Sequence, residues 1–190
     1  MTDEIRYIVT WSDPERRHDL IARKLGKGNF VYAIIVCPHY EKSLIRLGAS
    51  RHLTKRLRGY PIMDFIADVF VSYHVVSEEF RKAITPLLVS YFSDERNHDR
   101  RPSFLKGRKP DDCVQSELRS IEYKVERLLL DQYKKRHKRL PPGNPRTGSY
   151  REYLENVTIE ERGYIRILDM PCASPAPIRL EGEQLVRLLW

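Results

Sequence analysis

The stretch FVYAIIVC at 30–37 is almost entirely apolar, which is typical of a β-strand that is buried on both faces. Two further strands are predicted from LIRLGAS at 44–50 and ADVFVSYHVV at 67–76, which are rich in β-branched and apolar residues. RHLTKRLRGYP at 51–61 predicts a basic helix between them, and EEFRKAITPLLVSYF at 78–92 predicts a helix after the third strand. These elements predict an α/β (α+β) fold with a small three-stranded sheet flanked by helices.

Upstream of this core, IRYIVTW at 5–11 predicts a further strand. Ser12 or Asp13 followed by Pro14 is typical of a helix start, because a short polar side chain caps the helix and proline suits its first turn. We therefore expect a first domain over 1–97 with an N-terminal strand and helix.

Downstream of this domain, residues 98–111 are polar and basic without periodicity, which predicts a linker. Residues 112–139 place apolar side chains three and four apart, and Asp112 with Gln115 matches a capping box, so a long amphipathic helix is predicted. Its apolar stripe packs on the first domain or, as the alternative, forms the seam of a homodimer.

The remainder, 140–190, is predicted to be a C-terminal extension containing proline and glycine. KKRHKRLPPGNPR at 134–146 has six lysines and arginines and no acid, which favours a flexible basic arm. VTIEERGYIRIL at 157–168 predicts a hairpin, and EGEQLVRLLW at 181–190 predicts a short closing helix.

The composition limits the function classes. The 190 residues include 34 Lys and Arg against 26 Asp and Glu, a net charge of +8 that favours polyanionic partners, above all nucleic acid. Cys37, Cys113 and Cys172 form no C-x-x-C pair and leave one cysteine over from any disulfide, which favours an intracellular, reducing compartment such as cytoplasm or nucleus. Neither a structural zinc site, a secretory signal nor a membrane span is expected.

The order strand, strand, basic helix, strand, helix resembles the core of the GIY-YIG nuclease superfamily. The Gly-Ile-Tyr triplet of that family falls on 30–32 and its Tyr-Ile-Gly triplet on 46–48, where Tyr32 and Gly48 match and Arg46 replaces the second tyrosine. The resemblance implies that Arg56 grips the scissile phosphate. It also implies that Tyr60 occupies a position where many members carry His or Tyr.

The same resemblance places the metal-binding glutamate of the family twelve residues before an asparagine. Asn97 matches that asparagine, which puts Thr85 at the glutamate position. A neutral hydroxyl supplies no charge to hold Mg²⁺, so cleavage is expected to be weak or lost. The alternative carboxylates are Glu78, Glu79 and Glu95.

Three functions remain open. The preferred interpretation is a nucleic-acid-binding protein, for DNA or RNA, with a phosphate-binding surface formed by Arg46, Gly48, Arg51, Lys55, Arg58 and Asn97. The second is an active Mg²⁺-dependent endonuclease of restriction, repair or mobile-element type, in which Tyr32 or Tyr60 helps to deprotonate the attacking water and Arg56 neutralises the phosphorane. The third is a structural component of a larger ribonucleoprotein.

Overall fold

The computed structural model describes residues 4–37, 42–60, 69–144 and 152–173 together with the short strands at 178–179 and 185–186. The strands of the described chain are β1 Ile5–Thr10, β2 Glu15–Arg16, β3 Phe30–Val36, β4 Ser43–Ser50, β5 Val69–Val75, β6 Val157–Arg162, β7 Ile178–Arg179 and β8 Leu185–Val186. The α-helices are α1 Arg17–Arg23, α2 Leu53–Arg58, α3 Glu78–Ser93, α4 Pro110–Leu118 and α5 Ile121–His137.

The central sheet has the strand order β2-β5-β3-β4, and all its pairings are antiparallel. β3 lies between β4 and β5, so the prediction of a central strand and of an α+β fold is confirmed. The two-residue β2 adds a fourth strand to the three that were expected. Positions 61, 67 and 68 of the predicted helix and third strand lie outside the described residues.

The alternation of β3 side chains separates two hydrophobic cores. Val31, Ala33 and Ile35 face the main core, which α3, α4, α5, β1 and β6 cover. Tyr32 and Ile34 face the second core, which α1 and α2 cover. A residue on α2 therefore lies on the opposite side of the sheet from a residue on α3.

The predicted C-terminal hairpin is wrong. β6 pairs in parallel with β1, and Gly163 at φ +109 ends the strand, so residues 164–168 do not return alongside it. The Glu161 carboxylate accepts hydrogen bonds from the backbone N–H groups of Ile167 and Leu168, both at 3.0 Å, which holds that segment as a 3-10 turn.

The predicted long helix is two helices, α4 and α5, because the helical conformation is interrupted at Arg119 and Ser120. Beside this break, Lys124 Nζ lies 2.6 Å from Glu117 Oε2, an ion pair that is buried and ties the two helices together. The capping box is also wrong, since α4 begins two residues earlier at Pro110, a residue that suits the first helical position.

Two further expectations are corrected. α1 begins at Arg17, because Ser12 is instead bound to β5: its hydroxyl accepts a hydrogen bond from the N–H of Tyr73 at 3.0 Å. Residues 185–186 form a strand and not a helix, since they pair with β7, while positions 181–184 and 187–190 of the predicted helix lie outside the described residues.

The predicted basic arm is also ordered over much of its length. Lys134–His137 are the last turn of α5, and residues 141–144 lie against β4. Positions 145 and 146 lie outside the described residues. Within the described part of the chain, no helix has the length and apolar character needed to cross a bilayer.

Candidate phosphate-binding site

Two tyrosine hydroxyls meet at the end of β3. Tyr32 is 1% exposed, and its hydroxyl lies 2.8 Å from that of Tyr60, which follows α2. Gly48 pairs with Tyr32 across the β3–β4 ladder, and a Cβ at Gly48 would lie only 2.4 Å from the hydroxyl oxygen of Tyr32. The glycine is therefore required for the tyrosine to occupy its place.

Two arginines contact the Tyr60 ring. The Cζ atom of Arg46 lies 5.3 Å from the ring centre and that of Arg56 lies 5.2 Å from it. Arg46 pairs with Ile34 in the ladder, so it lies on the face of the sheet that carries Tyr32. Cation–π contact and the neighbouring hydroxyls therefore hold two positive charges in one place.

The protonation states of Tyr32 and Arg56 follow from the burial of Tyr32 and from the interaction between the two side chains. Burial raises the pKa of Tyr32 well above its usual value, and the neighbouring Tyr60 raises it further. Interaction with Tyr32 raises the pKa of Arg56. At neutral pH Tyr32 is therefore a neutral hydroxyl and a poor base.

Two glutamates on α5 interact with arginines of this region, Glu122 with Arg51 and Glu126 electrostatically with Arg46 and Arg56, and the sequence interpretation missed both. Glu122 is completely buried, with Arg51 Nε 3.4 Å from its Oε1, and neither carboxylate oxygen has a hydrogen-bond partner among the described residues. Burial raises the pKa of Glu126 to about 7, although the charges of Arg46 and Arg56 act in the opposite direction. The available signal was the spacing of these two acids, one helical turn apart beside the apolar residues of α5.

The residues of the basic segment 51–58 differ in burial. Leu53 and Leu57 are buried in the second core, whereas Lys55 and Arg58 are exposed. Arg51 is half-exposed and already faces Glu122. The free positive charge of this helix therefore resides mainly on Lys55 and Arg58.

The residues placed on α3 by the family spacing do not join the site. Thr85 lies on α3, whose apolar residues pack in the main core, so the sheet separates it from Tyr32. Its hydroxyl donates to the Arg81 carbonyl at 2.7 Å. Asn97 donates from Nδ2 to the Tyr91 carbonyl at 3.2 Å, an intrasegment contact at the end of the same helix.

The substitute carboxylates share that location. Glu78 lies 3.2 Å from the Nε of Arg81 on its own helix, and Glu79 and Glu95 are exposed. The α3 helix that carries Glu78 and Glu79 packs on the main-core face of the sheet, away from Tyr32.

The basic loop at 98–111 supplies less free charge than its composition suggests. Arg100 forms an ion pair with Glu152 at 2.8 Å, and Arg101 is buried with Nη2 donating to the Phe92 carbonyl at 2.6 Å. Leu105 is fully buried, so this segment packs on the main core instead of forming a free linker.

The assembled groups suit the chemistry of a phosphodiester. Guanidinium groups and hydroxyls donate hydrogen bonds to phosphate oxygens, and arginine does so in a bidentate manner. Across the described residues, no three His, Cys, Asp or Glu side chains cluster closely enough to hold a metal ion by themselves. Mg²⁺ is commonly held by only one or two carboxylates with substrate phosphate and water. Among the described residues, the buried carboxylate oxygens of Glu122 lack a hydrogen-bond partner.

Comparison with known proteins adds no relative, since no family model, curated protein or solved structure matches this chain. The resemblance to the GIY-YIG superfamily remains a prediction that rests on the residues themselves.

Proposed function

We propose that this protein binds nucleic acid, DNA or RNA, and holds a backbone phosphate at the cluster of Tyr32, Tyr60, Arg46 and Arg56. The observation that carries the proposal is the convergence of two hydroxyls and two guanidinium groups from separate elements onto one ring. A net charge of +8 supports it, because a basic protein attracts a polyanion over a long range.

The arrangement favours phosphate over a carboxylate ligand. Arg46 and Arg56 both lie against Tyr60 at similar distances, so two guanidinium groups contact one ring. A tetrahedral dianion or diester offers oxygens in several directions, whereas a planar carboxylate is satisfied by one guanidinium. Contacts of this kind position a backbone without reading its sequence.

Binding to labelled duplex DNA, single-stranded DNA and structured RNA at several salt concentrations tests the proposal. Arg56→Ala is expected to weaken binding about tenfold, since a hydrogen bond to a charged group contributes about 1.5 kcal/mol or more. Arg6→Ala, an exposed arginine on β1, is the matched control. Equal losses in the two variants would mean that the cluster is not the binding site, and RNA that co-purifies with the wild type would favour the ribonucleoprotein role.

A second candidate function is Mg²⁺-dependent hydrolysis of a phosphodiester, and the two glutamates of α5 favour it. The expectation that cleavage is lost depended on Thr85, which lies on the other side of the sheet. Glu122 and Glu126 would hold the ion, which would stabilise charge on the phosphate and on the leaving oxygen.

The proposed hydrolysis can be described through the residues that would act in it. Water attacks phosphorus, the bond from phosphorus to the leaving oxygen breaks, and the proton of the water passes to a base. Tyr32 does not suit that task at neutral pH, because burial and the neighbouring Tyr60 raise its pKa and keep its proton in place. Arg46 and Arg56 would neutralise the charge that develops on the phosphate.

A nicking assay on supercoiled plasmid with Mg²⁺ or Mn²⁺ distinguishes the two candidates. Metal-dependent nicking that Glu126→Gln abolishes and Glu79→Gln retains would establish hydrolysis. Glu79 is the matched control because it is an exposed glutamate on α3, across the sheet from the cluster. Salt-dependent binding without nicking would leave phosphate binding as the function.

A further inference from the structure

We propose that residues 141–144 form a positioning clamp that holds Arg46 against Tyr60 and so orients it toward phosphate. This inference rests on the proposed function, because it assigns the clamp a role in the affinity of that site. The clamp follows α5 directly, and in the sequence it belonged to a segment that was expected to be a flexible basic arm.

The clamp is a tight turn bound to the outer edge of β4. The N–H of Asn144 donates to the Pro141 carbonyl at 2.8 Å, which closes the four-residue turn. The N–H of Gly143 donates to the Ile45 carbonyl, also at 2.8 Å. The amide of Asn144 then makes two bonds to Leu47: its Oδ1 accepts from the backbone N–H at 2.9 Å, and its Nδ2 donates to the carbonyl at 2.8 Å.

Through these contacts the Asn144 side chain binds the backbone N–H and C=O of Leu47, as a paired strand would. Asn144 is 5% exposed, so the two amide bonds are largely shielded from water. They satisfy the groups of Leu47 that an edge strand would otherwise leave open. A buried side-chain amide with both ends satisfied is a rigid attachment, because breaking either bond leaves a buried polar group without a partner.

The same turn determines where Arg46 points. Arg46 Nη1 donates to the Gly143 carbonyl at 2.7 Å, while its Cζ lies 5.3 Å from the centre of the Tyr60 ring. A Cβ at position 143 would lie 3.0 Å from both the Cβ of Arg46 and the Ile45 carbonyl oxygen, so glycine allows this close approach. The Nε of Arg46 is buried without a hydrogen-bond partner among the described residues, which makes the Gly143 carbonyl the acceptor that orients the guanidinium.

The functional consequence is preorganisation. A free arginine side chain samples many rotamers, and ordering it on binding costs affinity. Because the clamp orders Arg46 before phosphate arrives, its loss is expected to weaken binding through Arg46 and through no other residue of the cluster.

A double-mutant cycle in the full chain tests this dependence with a labelled DNA duplex as the probe. Asn144→Ala is expected to weaken binding about fivefold in the wild type, the equivalent of about one hydrogen bond. In an Arg46→Ala background it is expected to change binding very little. Asn97→Ala is the matched control, since Asn97 also donates to a backbone carbonyl but lies across the sheet. An equal loss in both backgrounds would overturn the clamp in favour of a purely structural role.

A second readout needs no nucleic acid. In NMR spectra of the guanidinium nitrogens, rotation about the Cζ–Nε bond of Arg46 is expected to be slow in the wild type and faster in Asn144→Ala. Unchanged rotation would overturn the clamp even if the protein binds DNA, and absence of DNA binding by the wild type would remove the proposed function but not the clamp. If Asn144→Ala does not fold, Gly143→Ala serves both measurements, because a Cβ at position 143 would lie 3.0 Å from the Cβ of Arg46 and would disturb the close approach of the turn to this side chain.

Discussion

At the scale of single residues, the cluster depends on the absence of a side chain at Gly48. The Tyr32 ring occupies the space that a side chain at position 48 would need, with its Cζ and hydroxyl each 2.4 Å from the site of a Cβ. Tyr32 is enclosed on its other sides, so it cannot move away without opening the second core.

Gly48→Ala is therefore expected to displace Tyr32 and to break its contact with Tyr60. The overpacking should lower the free energy of unfolding by about 1–3 kcal/mol, and phosphate binding should fall with it. Gly26→Ala is the control, because a Cβ at Gly26 meets nothing within 4 Å. Urea denaturation of both variants provides the measurement, and equal stabilities would show that the close approach is not needed.

Glu126 is one of the residues through which the stability of this protein is expected to depend on pH. Its pKa is raised from 4.5 to about 7 by burial, so the folded state keeps a proton that the unfolded state loses. The contribution to stability is fully present below pH 4.5 and is lost as pH rises toward 7. The full shift corresponds to a loss of up to about 3 kcal/mol.

Glu126→Gln is expected to remove this loss. Its stability should match that of the wild type near pH 4 and should exceed it above pH 7, whereas Glu95→Gln on an exposed turn should follow the wild type throughout. Denaturation midpoints between pH 4 and pH 8 test the expectation. A difference that is constant over this range would mean that Glu126 titrates at its ordinary pKa.

At the scale of elements, the sequence predicted what local patterns determine. The apolar run of β3, the β-branched residues of β5 and the basic residues of α2 are local signals, so these elements and their order could be predicted. The family resemblance, and not periodicity, singled out Tyr32, Gly48, Arg56 and Tyr60. The candidate metal-binding glutamates were sought on and near α3 because the prediction counted residues back from Asn97. Such a count does not determine which side chains lie close together in the folded protein. Which helix covers which face of the sheet depends on long-range packing, and this brings α5 to β4 and its two glutamates to the arginines.

The junction of α4 and α5 also depends on packing that the sequence pattern does not show. The apolar periodicity continues through it and predicted one helix, whereas the structure has two. Glu117 and Lys124 form a buried ion pair across the junction, and the Tyr153 hydroxyl also donates to Glu117. Glu117→Ala is expected to cost about 3–5 kcal/mol, because it leaves a buried ammonium without its carboxylate.

The double variant Glu117→Ala, Lys124→Ala is expected to lose much less than the sum of the two single changes, since neither charge is then left alone. Lys135→Ala, which removes an exposed pair with Asp131, is the control and should cost less than about 1 kcal/mol. Additive losses in a urea series would contradict the interpretation that the pair acts as a unit.

At the scale of the whole molecule, the net charge of +8 contributes to contacts with a ligand only through basic side chains that are exposed and not engaged within the protein. Arg100 and Arg101 are engaged in contacts within the protein, and Arg51 faces Glu122. Lys55 and Arg58 remain exposed on α2, next to the cluster. The surface expected to follow a nucleic-acid backbone is therefore narrower than the basic composition suggests.

The salt dependence of binding measures that surface. Contact with about six phosphates of duplex DNA would give a slope near five in a plot of log affinity against log salt concentration. Replacing Lys55 and Arg58 together by alanine is expected to reduce the slope by about two. For each phosphate contact that is lost, binding releases about one counterion fewer from the DNA. The double variant Arg6→Ala, Arg162→Ala is the control, since both arginines are exposed on the paired strands β1 and β6. A slope that stays the same when Lys55 and Arg58 are removed, while Arg56→Ala still weakens binding, would place the backbone across Tyr60 and away from the exposed side of α2.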